Sequence, residues 1–151
     1  MSTLSAQSIR RLNLITPFNE RTMHPDARMT YGLSSCGYDI RIDQSIRLEP
    51  GTFSLASSVE RFHLPNFVVG KVHDKSSWAR QGLAVQNTII EPGWTGYLTL
   101  ELTNHGKTII FLDEGFPIAQ ILFDRLDETT EQPYSGRYQY QKRGPQEAIN
   151  G

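Results

Sequence analysis

The run KSSWARQGLAVQNTIIEPGWTGYLTLELTN, residues 75–104, holds the reading on which the fold turns. From Tyr97 to Thr103 it alternates strictly, with Leu98, Leu100 and Leu102 on one side and Tyr97, Thr99, Glu101 and Thr103 on the other. A period of two is a β-strand with a core face and a polar face. Upstream, the turn Glu91-Pro92-Gly93-Trp94 joins it to a second apolar run, LAVQNTII (83–90). KSSWARQG (75–82) reads instead as a helical turn closed by Gly82.

The same rhythm continues outward. KTIIFLDEG and FPIAQILFDRL follow, and FVVGKVH precedes. Further back lie a run at Phe62 and Leu64, another at Phe53, Leu55 and Val59, then Ile46 and Leu48. Tyr38, Ile40 and Ile42 alternate with Asp39 and Arg41 as a half-buried strand. Strands recurring about every ten residues between Gly, Pro, Asn and Asp turns predict a mostly β, antiparallel barrel or jelly roll, not βαβ units. Residues 4–14 predict a short N-terminal helix capped by Ser5, with Leu4 and Ile9 at staple spacing. Residues 17–30 are polar and irregular.

The 151 residues form one expected domain, with no internal repeat or linker to divide it. A formal net charge of −1 leaves no global basic field for a nucleic acid polymer. The single cysteine, Cys36, excludes an internal disulfide framework and suits a reducing setting. No apolar run approaches the roughly 18 residues of a membrane span, and the N-terminus lacks a signal-peptide core. The expectation is a soluble, cytoplasmic protein. After Asp127 the composition turns polar, with tyrosines, arginines and glutamines in place of aliphatics. Two readings of residues 128–151 stand: a frayed end, or a tail whose tyrosines and arginines close over a planar base or a phosphate.

Two features carry chemistry. Lys75, Ser76, Ser77 and Arg80 lie within six residues at the start of a helical turn, where free N–H groups, hydroxyls and a guanidinium suit phosphate. A capped helix with solvated cations has the same appearance, and no P-loop motif is present. Glu101 lies on the polar face of its strand, which is either solvent or a pocket. In a pocket, desolvation would raise its pKa into the range of a general base or acid. Glu91, across the turn, can reach the same place. The four histidines are scattered, and a lone cysteine cannot build the Cys-X-X-Cys half of a zinc deaminase site. There is no Gly-X-Ser-X-Gly element, so hydrolysis here requires water activated by a carboxylate.

Five blocks then carry a family resemblance: GLSSCGYDIRI (32–42), KSSWARQGL (75–83), EPGWTGYLTLELTN (91–104), GFPIAQILF (115–123) and YSGRYQYQKRGP (134–145). In these blocks the chain resembles the dCTP deaminases of the trimeric dUTPase-like superfamily. The resemblance implies a distorted β-barrel, a homotrimer with shared active sites, and zinc-independent deamination of dCTP to dUTP and ammonia. It gives Glu101 the role of catalytic base, with Ser76 and Arg80 beside it in the catalytic set. Lys75, Ser77, Trp78 and Ala79 complete the triphosphate segment, and Glu91, Thr99, Leu100 and Gln120 fall in nucleotide-contacting positions. Tyr134, Arg137 and Gln141 match the tail that acts as a lid. Mg²⁺ enters with the triphosphate and no zinc is implied.

The chain departs from the family pattern in QKRGP (141–145), one residue longer than the family's form, and in a shortened stretch between residues 42 and 52. The shortening suits a viral enzyme acting on a 5-substituted cytosine nucleotide in the host cytoplasm. Alternatives are a dUTPase or bifunctional deaminase–diphosphatase, and a non-catalytic nucleotide-binding trimer.

Overall fold

The computed structural model describes residues 2–150. β1 (Ser2–Thr3) leads into α1 (Ala6–Leu12), followed by β2 (Ile15–Thr16), β3 (Thr22–Met23), β4 (Thr30–Leu33) and β5 (Tyr38–Arg41). Next come β6 (Ile46–Leu48), β7 (Phe53–His63) and β8 (Val68–Asp74), then α2 (Ser76–Ala79). β9 (Leu83–Val85), β10 (Ile89–Ile90), β11 (Thr95–Asn104), β12 (Ile110–Leu112) and β13 (Pro117–Arg125) complete the order. All named pairings are antiparallel, as the strand spacing predicts.

One sheet runs β10-β8-β13-β5-β4-β3, with β1 also on β13. A second runs β2-β7-β11-β9, and β6 pairs with β12. Phe62 of β7 stands between Trp94 and Phe123 of β13, at 6.4 Å between ring centroids in each case. Tyr38, Ile40, Ile42, Leu100, Leu102 and Ile121 are likewise fully buried. The leucine alternation of β11 is therefore the core face, as read.

Three local expectations change. The run at Phe53–Val59 and the one that begins at Phe62 join in one eleven-residue strand, β7, with Leu64 just past its end. Its continuity survives a bulge: Tyr97 pairs with Arg61 but Thr99 with Ser57. Ser58 repairs the ladder there, its Oγ accepting from Leu98 N at 3.0 Å and donating to Glu60 O at 2.6 Å. LAVQNTII is two strands, because β9 pairs with β11 in one sheet and β10 with β8 in the other. The polar Gln86–Thr88 segment carries the chain between sheets. β5 is covered on both faces: Asp39 is buried because it meets Lys75.

The N-terminal helix is capped as expected, Ser5 Oγ accepting from Ser8 N and Asn13 closing in the left-handed conformation. Gly82, which ends α2, has φ +95°, and a Cβ there would lie 2.5 Å from Gly106 N. Only glycine fits at that turn.

Candidate active site

A cavity of about 660 Å³ opens beside β11. Phe53, Leu55, Ile89, Trp94 and Leu98 form much of its apolar wall. Its polar groups include Glu91, Thr99, Glu101, Tyr134 and Gln141. Strand geometry puts Thr99 and Glu101 side by side on one face, so both project into it. Glu101 is half-buried, and its Oε2 is a buried polar atom with no hydrogen-bond partner among the described residues. Burial pushes its carboxyl above the ordinary 4.5, a bond from its own backbone opposing the shift. A desolvated carboxyl with an unpartnered oxygen leaves an acceptor atom facing a largely apolar cavity.

The tail builds the far wall. It docks on the start of β11 through Trp94 Nε1 to Tyr138 O (2.7 Å), Thr95 N to Gln139 Oε1 (2.8 Å) and Tyr97 N to Gln141 O (3.0 Å). Gly96 permits this approach, since a Cβ there would stand 2.8 Å from Gln141 N. A glycine inside a strand pattern is the local sign that another backbone comes close, and it marks this docking in the sequence. Within residues 128–150, Tyr134, Tyr138, Gln141, Gln146 and Glu147 all line the cavity, so this stretch lies against the body of the protein. Tyr138, Gln146 and the wall residue Phe53 are site residues the sequence reading did not name. Nothing local distinguishes them from exposed apolar or tail residues.

The residues expected at the site fall into two groups. Glu91, Thr99, Glu101, Tyr134 and Gln141 share the cavity. Lys75, Ser76, Ser77, Trp78, Ala79 and Arg80 do not line it. Ser76, Ser77, Ala79 and Arg80 are exposed. Trp78 is buried and donates Nε1 to Pro117 O at 2.7 Å, so it anchors α2 to β13 and contacts no open space. Lys75, read as part of a phosphate clamp, has its Nζ 3.1 Å from Asp39 Oδ2, with both side chains about one-tenth exposed. Its charge is committed within the fold. Leu100, expected beside the base, points to the core at 0% exposure because strand alternation turns it away from Thr99 and Glu101. Gln120 lies on β13, its Nε2 donating to Ser34 Oγ at 3.2 Å, away from the cavity lining. Arg137 is exposed and donates to Ile149 O at 2.8 Å.

The antiparallel sheets and a carboxylate in a largely apolar cavity describe a β-class protein with a concave candidate site. Among solved structures it is similar to EIAV dUTPase (TM-score 0.60, 25% identity, 81% of this chain and 95% of that one). It is also similar in fold to the 2'-deoxycytidine 5'-triphosphate deaminase of Agrobacterium tumefaciens (TM-score 0.64, 19% identity, 82% of this chain and 47% of that one). Residues 5–126 match the family model "dCTP deaminase-like", and the chain belongs to that family. Curated relatives include the dCTP deaminase of Thermococcus kodakarensis, 33% identical over 149 residues (89% of this chain, 90% of the relative). That of Pyrococcus horikoshii is 35% identical over 136 residues (87% of each). Nothing in these relatives supports a viral source. Among the described residues no helix is long and apolar enough to cross a membrane.

Proposed function

We propose that this protein deaminates dCTP, or a 5-substituted dCTP, by adding water at C4 to give the corresponding dUTP and ammonia. Membership of the dCTP deaminase-like family and curated relatives of that name support the substrate class. The observation that carries the mechanism is the unpartnered, buried Oε2 of Glu101 in a cavity walled by apolar side chains.

In this reading Glu101 takes a proton from water as the oxygen bonds to C4, and passes it to ring N3. It then takes the hydroxyl proton of the tetrahedral adduct and delivers it to the amino nitrogen. The C4–N bond breaks, ammonia leaves, and a carbonyl remains at C4. No zinc is required, because the desolvated carboxylate supplies the base. Mg²⁺ accompanies the triphosphate and offsets its charge.

Ser76, Ser77 and Arg80 are exposed and outside the Glu101 cavity, so one copy does not join the two halves of the site. A homotrimer in which these residues of one copy approach the cavity of the next completes it. Ser76 and Arg80 then orient water and phosphate, and Arg137 adds charge from the tail. Lys75 holds the segment in place through Asp39. The tail, residues 128–151, acts as the lid, and the protein works in the cytoplasm.

Incubation with dCTP, 5-methyl-dCTP and dUTP, followed by separation of nucleotides and assay of ammonia, tests this. Ammonia with stoichiometric dUTP or its 5-methyl form is expected. A chelator selective for zinc, added with Mg²⁺ in excess, should leave the rate unchanged, while omitting Mg²⁺ should raise the KM for dCTP. Nucleotide binding without ammonia would favour the non-catalytic trimer. The second enzymatic reading, a dUTPase or bifunctional deaminase–diphosphatase, draws on Glu91 at the same cavity and the likeness to EIAV dUTPase. Release of pyrophosphate and dUMP would favour it.

A further inference from the structure

Gln141 is attached to β11 at both its backbone and its side chain. Its backbone bridges Gly96, and its carbonyl accepts from Tyr97 N at 3.0 Å. Its side-chain Nε2 donates to Tyr97 O at 2.7 Å and to Thr99 Oγ1 at 2.9 Å. A backbone carbonyl can only accept, so the atom facing Tyr97 must be the nitrogen, and the amide cannot be turned over. Thr99 Oγ1 also accepts from Gln146 N at 3.0 Å, which fixes it as an acceptor towards the tail. Oε1 is then the free atom of the amide. It makes no hydrogen bond among the described residues, and Gln141 lines the cavity one strand position from Glu101, through Thr99.

From this arrangement we infer that Gln141 is a specificity-determining residue: its Oε1 accepts a hydrogen bond from the 4-amino group of the pyrimidine. The inference rests on the deaminase reading above and names how that site distinguishes an amino from an oxo pyrimidine. A 4-amino group has hydrogens to donate. A 4-oxo group presents lone pairs, so two acceptors would face each other. The same atom that selects the substrate disfavours the product, since deamination converts a donor at C4 into an acceptor. Gln141, which the family resemblance places in the tail lid, is in this geometry a contact to the base. A site built to pair a polar group rejects an analogue lacking it more strongly than an apolar wall does.

The test uses full-length protein carrying Glu101→Gln, so that bound dCTP is not consumed, and titration calorimetry with dCTP and with dUTP in the presence of Mg²⁺. The Glu101→Gln protein should bind dCTP more tightly than dUTP. Adding Gln141→Leu should weaken dCTP about tenfold while changing dUTP less than about twofold. Equal weakening of both nucleotides, or unchanged dCTP binding, overturns the inference, as does a Glu101→Gln protein with no preference for dCTP. Thr99→Val, which removes one of the two acceptors aiming the amide, supplies a second reading if Gln141→Leu does not fold. It should shift the dCTP-to-dUTP ratio about threefold in the same direction, and Thr99→Ser should restore it. An unchanged ratio in Thr99→Val overturns the inference. Absence of ammonia from wild-type protein and dCTP would overturn the deaminase reading by itself, whereas the selectivity is read from binding alone.

Discussion

Two carboxylates on neighbouring strands, Glu60 of β7 and Glu101 of β11, are both pushed above their ordinary pKa by burial. Their surroundings are opposite. Glu60 is fully buried, yet its Oε1 accepts from Arg41 N at 3.0 Å and its Oε2 from Arg41 Nε at 2.9 Å. Arg41 in turn lies over the Tyr31 ring, 4.6 Å from its centroid. Glu101 is less buried but leaves Oε2 without any partner among the described residues. A buried charge with its bonds made is part of the scaffold, and one with a bond missing is available to a ligand. Depth of burial alone does not tell them apart.

Four measurements test that contrast. The largest expected effect is on turnover: Glu101→Gln should lower ammonia release from dCTP by about 10²–10⁴-fold with the far-ultraviolet circular dichroism spectrum unchanged. Full activity would remove Glu101 from the chemistry. Next, Glu60→Ala should cost about 3–5 kcal/mol in denaturant unfolding, because Arg41 would be left without its carboxylate. A loss below about 1 kcal/mol would mean the pair is solvated and the contrast fails.

Smaller is the effect of pH on stability. The folded protein holds the Glu101 proton more tightly than the unfolded chain does. The contribution of this group is therefore fully present below pH 4.5 and is lost as pH rises through the raised folded value. Glu101→Gln removes that loss. Its melting midpoint should exceed that of wild type by about 2 °C at neutral pH, and the gap should close on acidification. A gap that widens in acid contradicts the desolvation argument. The smallest effect is expected at Asp43–Arg143, where the guanidinium bonds are 2.8 and 2.6 Å, as short as or shorter than those of Arg41 and Glu60. Arg143 is exposed, so Arg143→Ala should leave the unfolding midpoint unchanged. A clear destabilisation would show that pairing matters here independently of burial.

Strand periodicity was legible wherever one strand face is core and the other is not, as in β11. It failed where the local pattern does not report the partner. The break of LAVQNTII into β9 and β10 follows from two sheets competing for one run, and the merging of two runs into β7 from a bulge that Ser58 stabilises. At the site, the side of β11 that carries Glu101 was legible because the carboxylate falls on the polar face of a strict polar–apolar alternation. Lys75 was misleading, because a cation read as free finds Asp39 thirty-six residues away and is neutralised there.

The sequence by itself determined the β class, the capped N-terminal helix, the face of β11 that carries Glu101, and the family blocks that frame it. These depend on periods and turn chemistry that act within a few residues. Only the tertiary structure decided that the polar face of β11 is a cavity wall and not open surface. It also decided that the tail supplies the opposite wall, and that Ser76, Ser77 and Arg80 stand outside it. The physical reason is that enclosure comes from contacts between segments far apart in the chain. Tyr97 and Gln141, 44 residues apart in the chain, are neighbours because Gly96 leaves room for the tail to lie against β11.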